Sequence, residues 1–405
     1  MESPANITNG ELDGLLTAML QSAGGVSDLL FVAGKPPQLE INGLLRPFET
    51  EPVLTSARIE GLARTIMNGI PRLLNDMAEH GSCDCSYSLA DLGRFRVNVY
   101  RQNGNHAMVL RLLQSQIPTM DSLYLPPVFR EIIKEKNGLI FVTGGTGNGK
   151  TTTLTAMLNE INLTNEVHIV TLEDPVEFLH PHVKATFSQR ELGKDFYSYP
   201  DGLRAALRQS PKIIFVGEIR DRETMEIALT ASETGHVVFS TLHTISAAQS
   251  IHRILGMFSR EEEDLVRQRL VSSLRYIVSQ RLVPRIATGR LLVTEILGSS
   301  MRSREAIALG ESEGRRMWEI IEAGNTYGWH SFEQSLLKAF QDGLITEETA
   351  LLYSTNKTQM LQRLDNAKKR QNSIRVFSSI TLKMQPEPPP APELPPVVEG
   401  KKKSK

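Results

Sequence analysis

The 405-residue chain has only two cysteines, Cys83 and Cys85, too few for a disulfide scaffold. Two apart on a strand, they point to one side and do not close a bridge. Without further ligands nearby they make no metal site, so they read as free thiols in a reducing compartment. Long apolar runs are also missing. No stretch approaches 18 consecutive apolar residues, which excludes a membrane-spanning helix and direct membrane insertion. The opening Met1-Glu2-Ser3-Pro4 lacks the basic and apolar regions of a secretory signal, so a cytoplasmic protein is expected. There is no charge of one sign either. With 45 basic and 46 acidic residues the net charge is −1, and nothing argues for nucleic acid or anionic lipid as a partner.

The composition that remains, 40% apolar and 22% charged, is that of a globular chain, and the length allows two to three domains. Residues 9–24 have helical spacing, and 27–32 and 38–43 read as strands about the turn Gly34-Lys35-Pro36-Pro37. Helices at 55–68 and 71–80 and strands at 82–89, 94–100 and 107–112 complete an α+β domain over 1–114. A proline-marked linker, 115–127, follows. Strands at 139–143, 167–172, 212–217, 236–242 and 291–297 then alternate with helices at 151–162, 200–209, 223–234 and 245–257. That alternation predicts a parallel sheet over 128–300. The stripe Leu265, Leu270, Leu274, Ile277 and Val278 predicts one long amphipathic helix over 261–282. Residues 301–372 read as helical. Seven of the 21 prolines fall in 386–396, so 373–405 reads as a disordered tail.

The stretch Gly144-Gly145-Thr146-Gly147-Asn148-Gly149-Lys150-Thr151 fits G-x-x-x-x-G-K-[ST] between the apolar run 139–142 and a helix-forming segment. The glycines let backbone N–H groups turn toward a triphosphate at a helix N-terminus. Lys150 would reach the β- and γ-phosphates and Thr151 would ligate Mg²⁺, so ATP and Mg²⁺ are the expected ligands. Partners belong at the carboxyl ends of neighbouring strands. Glu173, Asp174 and Glu177 follow the second strand of the series and could hold a metal or its waters. Gly217-Glu218 follows the third; glycine stands at the usual aspartate position, and Glu218 is placed to orient or deprotonate water. His236 and His243 bracket the next strand. His243 lies at its carboxyl end, level with the phosphate loop; alternation puts His236 on the other face.

These stretches, Gly144–Thr151, Glu173–His180, Ile213–Asp221 and Glu233–Thr244, resemble the Walker A, Asp, Walker B and His boxes of secretion-type motor ATPases. Ser188–Gly193, Ser27-Asp28 and Pro36-Pro37 fit the same family, over roughly residues 10–365. The branch it is most similar to is the PilT/PilU-type pilus retraction ATPases. The resemblance implies a PAS-like α+β N-terminal domain followed by a RecA-like P-loop ATPase domain with a helical C-terminal extension. It implies Glu218 and Glu177 as catalytic acids, with Glu177 also near the metal, and a role for both His236 and His243 in turnover. Arg94, Arg96 and Arg111 are implied as phosphate-binding arginines, with Arg204 and Arg208, four apart on one helix face, as further candidates. It also implies a homohexamer that powers pilin disassembly and twitching motility on an inner-membrane platform protein, peripheral to that membrane and beside a sister retraction ATPase.

Three departures bear on the branch. Gly145 replaces a common proline, Leu30 stands where relatives often have histidine, and Met301–Ile307 only loosely fits the retraction motif. A related secretion or conjugation ATPase and a PilU-like accessory hexamer are therefore the alternatives. Absence of cysteine beyond Cys85 argues against the assembly ATPases, which carry a four-cysteine module.

Overall fold

The computed structural model describes residues 6–113 and 116–381. Its first helix, α1 (Asn9–Gln21), starts where Thr8 and Glu11 cap one another's backbone N–H, and it buries Leu12, Leu15, Leu16 and Met19. Strands β1 (Val26–Phe31), β2 (Gln38–Ile41) and β3 (Leu44–Pro47) follow, then α2 (Ser56–Met67) and α3 (Pro71–Glu79). Three longer strands close this part: β4 (Ser82–Leu89), β5 (Gly93–Gln102) and β6 (Asn105–Leu112). The six strands form one antiparallel sheet ordered β3-β2-β1-β6-β5-β4. Along β5 the sequence alternates strictly: Phe95, Val97 and Val99 are buried under the helices, while Arg94, Arg96 and Asn98 turn to the opposite face. Strand β3 is exposed along its whole length and therefore carries no apolar periodicity that a sequence reading can detect. Both cysteines are free, and burial pushes their thiols up to about 11 for Cys83 and about 12 for Cys85, which keeps them unreactive.

A short helix, α4 (Phe129–Ile132), leads into the second sheet. Its elements run β7 (Gly138–Thr143), α5 (Lys150–Thr164), β8 (His168–Glu173), β9 (Thr186–Glu191), α6 (Tyr199–Ala206), β10 (Ile213–Val216), α7 (Arg222–Glu233), β11 (Val237–Leu242), α8 (Ala247–Leu255), α9 (Glu263–Ser273), β12 (Leu274–Pro284) and β13 (Arg290–Gly298). The order is β13-β12-β7-β11-β10-β8-β9, parallel except for the antiparallel pair β12–β13. Every residue of β7, β10 and β11 is buried, as expected of strands covered on both faces.

The long helix expected over 261–282 is not formed. It stops at Ser273, and Leu274–Pro284 becomes strand β12 between β7 and β13. Tyr276, Ile277 and Val278 favour a pleated strand, and a short apolar run satisfies helical and extended spacing alike. Leu265, assigned to the apolar stripe, is 64% exposed. Strand β9 is likewise an element the sequence reading omits.

Helices α10 (Met301–Leu309), α11 (Met317–Ala323), α12 (Phe332–Gln341), α13 (Glu347–Tyr353) and α14 (Lys357–Thr381) complete the fold. Helix α14 continues past residue 372, while 382–405, most of the expected proline-rich tail, lies outside the described residues. The last helices share a core with Val283 and Val293 of the β12–β13 hairpin, and Arg281 lies 3.8 Å above the Phe332 ring.

Within this region Glu295 is buried and accepts the Ala247 N–H at 2.9 Å. Burial pushes its carboxyl up to about 7, with Glu333 adding to the rise and Arg281 opposing it. A carboxyl raised in the folded state binds its proton there between its ordinary 4.5 and about 7. The unfolded chain has already released that proton, so this group's contribution to stability falls as pH rises through the window. Glu295→Gln is expected to flatten the dependence of the unfolding midpoint on pH between 5 and 8, as thermal unfolding in a series of buffers would show.

Candidate active site

A cavity of about 850 Å³ opens at the carboxyl edge of the parallel strands, walled by the phosphate loop, the segment after β8, the β12–β13 hairpin and Arg96 of the first sheet. The loop between β7 and α5 needs its glycines. Gly147 and Gly149 adopt φ of +78° and +77°, and a Cβ on Gly144 would sit 2.7 Å from the Gln280 carbonyl oxygen of β12. Helix α5 begins at Gly149 with no side-chain cap, so its first N–H groups point to the cavity without a local acceptor. Thr146 through Thr151 line the cavity. Gly144 and Gly145 stand behind it, their carbonyls accepting from Lys150 Nζ at 2.9 and 3.2 Å. Burial lowers the Lys150 ammonium from its ordinary value, with Glu218 and Glu177 opposing the shift.

Opposite the loop stand the acids. Thr241 Oγ1 donates to the Gly217 carbonyl at 2.6 Å and fixes the end of β10. A Cβ on Gly217 would lie 3.2 Å from both the Leu172 oxygen and the Tyr199 hydroxyl, a tight contact that leaves little room for a side chain there. Glu218 Oε2 lies 2.7 Å from Arg220 and 3.4 Å from His243 Nε2. Burial alone would raise this carboxyl, but Arg220, His243 and Lys150 together hold it below its ordinary value. Glu177 and Asp174 line the same cavity, both raised by burial and both opposed by Arg96. Glu173 is fully buried, receives hydrogen bonds from Thr171 and Gln189, and is pushed up to about 7 by desolvation. Thr151 and Glu177 thus offer oxygen donors beside an uncapped helix terminus, a set that fits a cation paired with a triphosphate.

Several candidates lie elsewhere. His236 precedes β11 at the far edge of the sheet, where its Nδ1 meets the Ala231 carbonyl at 3.0 Å. A six-residue strand separates it from His243 by about 20 Å, so it cannot reach the phosphate site of its own chain. Arg111 pairs in register with Arg96 but is held by Asp28 at 2.9 Å, away from the cavity. Arg204 is taken by Glu223 at 2.5 Å, and Arg208 falls beyond the end of α6, so the two do not share a helix face. Arg94 is an interdomain tie. It donates to the Val176 carbonyl at 2.7 Å and pairs with Glu191 of β9 at 2.8 Å, and Glu191 also accepts from Ser86.

The sequence reading missed the hairpin contribution, since calling 261–282 helical hid it. Leu282, Arg285, Arg290 and Leu292 all line the cavity. The alternation of Arg281-Leu282-Val283 ahead of the turn Ala287-Thr288-Gly289 was the available signal.

A profile of the type II/IV secretion system protein family matches residues 92–290. The type IV pilus retraction ATPase PilT of Pseudomonas aeruginosa is 40% identical over 326 residues, which is 80% of this chain and 93% of that protein. The type IV pilus ATPase PilU of the same organism is 33% identical over 382 residues, 94% of this chain and 98% of PilU. A crystal structure of the pilus retraction motor PilT with bound ADP matches with a TM-score of 0.77 at 38% identity, covering 87% of this chain and 98% of that one. With sequence and fold alike over nearly the full length of these relatives, the chain belongs to the PilT/PilU-type family of type IV pilus ATPases.

Proposed function

We propose that the chain hydrolyses ATP to drive type IV pilus retraction, as a homohexamer on the cytoplasmic side of an inner-membrane platform protein. The observation that carries this reading is Glu218, held ionised by Arg220 and His243 and facing the cavity together with Lys150 and Glu177. The α5 terminus and Lys150 bind the β- and γ-phosphates. Thr151 and Glu177 would hold Mg²⁺, which when bound draws negative charge from the phosphates. Glu218 orients a water and takes its proton as the water oxygen bonds to the γ-phosphorus. The bond to the bridging oxygen breaks and ADP leaves with inorganic phosphate. His243 reads nucleotide state through the shared carboxylate, and Arg96 adds positive charge from the first domain. Rotation of the two domains about the cavity transmits the cycle to the platform.

One observation favours a second reading, a non-hydrolysing accessory hexamer working beside a sister retraction ATPase. The match to PilU extends over 94% of this chain, against 80% for PilT. Steady-state hydrolysis by the purified full chain, sized by light scattering, separates the two. Lys150→Ala is expected to weaken ATP binding about 10- to 100-fold, the worth of a charge-assisted phosphate contact. A six-subunit particle whose Mg²⁺-dependent turnover depends on Lys150, and which restores surface motility to cells lacking their own retraction ATPase, is the expected result. ATP binding without turnover would replace the motor with the accessory reading.

A further inference from the structure

The phosphate machinery accounts for only part of the cavity lining. The β12–β13 hairpin adds Leu282 and Leu292 beside Arg285 and Arg290. Leu282 and Leu292 are directly opposed in the β12–β13 register, so they present one cross-strand apolar surface. Leu282 also abuts the phosphate loop, its Cδ1 lying 3.7 Å from where a Cβ on Gly149 would be. The interdomain segment lines the same cavity with Leu123 and Tyr124.

Tyr124 is unusual in two independent respects. It is 75% exposed although it lines a cavity, and its φ is +53°, in the left-handed region that aromatic residues rarely adopt. The surroundings impose that conformation. Thr119 and Ser122 exchange backbone-to-hydroxyl hydrogen bonds of 3.0 and 3.1 Å, the Tyr124 N–H donates to the Asp121 carbonyl at 3.0 Å, and the Leu125 N–H donates to that of Met120 at 3.1 Å. Arg130 then joins Asp121 at 2.6 Å and reaches Glu160 of α5 at 3.6 Å, so the turn is anchored to the helix that follows the phosphate loop. A backbone conformation held at a cost, presenting an exposed ring at a cavity wall, is the arrangement of a ligand clamp.

We propose that Tyr124 stacks on the nucleobase and holds it against the leucine surface of the β12–β13 hairpin, making the interdomain turn the base-binding element. The inference rests on the nucleotide reading above and extends it to one residue. A base contributes a flat π-face and little charge, which suits an aromatic ring and aliphatic side chains. Since Tyr124 belongs to the segment joining the two domains, base occupancy would also fix where that segment sits over the motor sheet.

The test compares ATP with inorganic tripolyphosphate, which carries the phosphates without a base, by calorimetric titration of the full hexameric chain with Mg²⁺. Tyr124→Ala is expected to weaken ATP binding about tenfold or more, the usual loss on removing a base-stacking aromatic. Tripolyphosphate binding should be unchanged, and Tyr124→Phe should bind ATP as the wild type does. Because the side chain is exposed, folding is not at risk, and Tyr124→Trp adds an emission signal that ATP should quench and tripolyphosphate should not. Unchanged ATP affinity in Tyr124→Ala, or equal loss toward both ligands, would overturn the proposal. Wild-type chain that binds neither ligand would remove the nucleotide reading itself, and the base site with it.

Discussion

Replacing Glu218 with glutamine is expected to slow ATP hydrolysis about 10²- to 10⁴-fold, the usual worth of a positioned general base. ATP affinity should stay within a few-fold of the wild type. Glutamine keeps the size of the side chain and a carbonyl acceptor for Arg220, which lies 2.7 Å away, but it cannot take a proton. The effect should fall on turnover and not on binding because the proposed phosphate contacts come from other lining residues, those of the loop and Lys150. Glu218 is also the acid whose neighbours favour the ionised form: Arg220, His243 and Lys150 outweigh its burial. Glu177 and Asp174, by contrast, are raised by desolvation, with Arg96 opposing the rise. Single-turnover kinetics beside equilibrium ATP binding, on particles of verified size, would measure both quantities. Turnover within tenfold of wild type would move the base elsewhere, and Glu177→Gln would then be the variant to compare.

The second large effect is expected at the junction of the two sheets. Arg94 and Glu191 form an ion pair in which the side chains are only 13% and 8% exposed. Arg94 also donates to the Val176 carbonyl, one residue before Glu177, so the clasp ties the first domain to the acid-bearing segment. Removing one partner of such a pair leaves a buried charge uncompensated. Arg94→Ala should therefore cost about 3–5 kcal/mol of stability in this part of the molecule. The double variant Arg94→Ala with Glu191→Ala should recover part of that loss, because neither charge is then stranded. Denaturant unfolding of the four proteins closes the cycle. A single variant as stable as the wild type, or a double variant as unstable as the two losses added, would show the pair to be uncoupled.

What could be read without the structure was local. Gly144–Thr151 is legible because eight consecutive residues hold both the required backbone freedom and the required side chains. Glu218 and His243 were legible for a related reason: each follows a short buried strand, and the ends of parallel strands share one edge. Alternation also places Arg94 and Arg96 together on one face of β5.

Pairings across the chain were decided by the tertiary structure. The i, i+2 spacing of Arg94 and Arg96 does not say that the first closes on Glu191, 97 residues away, while the second reaches the cavity. Arg111, beside Arg96 in register, has a nearer carboxylate in Asp28 and is held there. His236 shares a sequence box with His243 but lies at the opposite end of the strand that joins them. The segment 274–284 had a pattern compatible with either helix or strand, and its place between β7 and β13 settled the choice. From that choice came the hairpin wall of the cavity, and with it the role inferred for Tyr124. Sequence by itself determined the groups whose chemistry depends on neighbours along the chain. Which charges meet, which histidine lines the cavity and where an ambiguous segment lies depend on contacts between distant residues, and only folding supplies those.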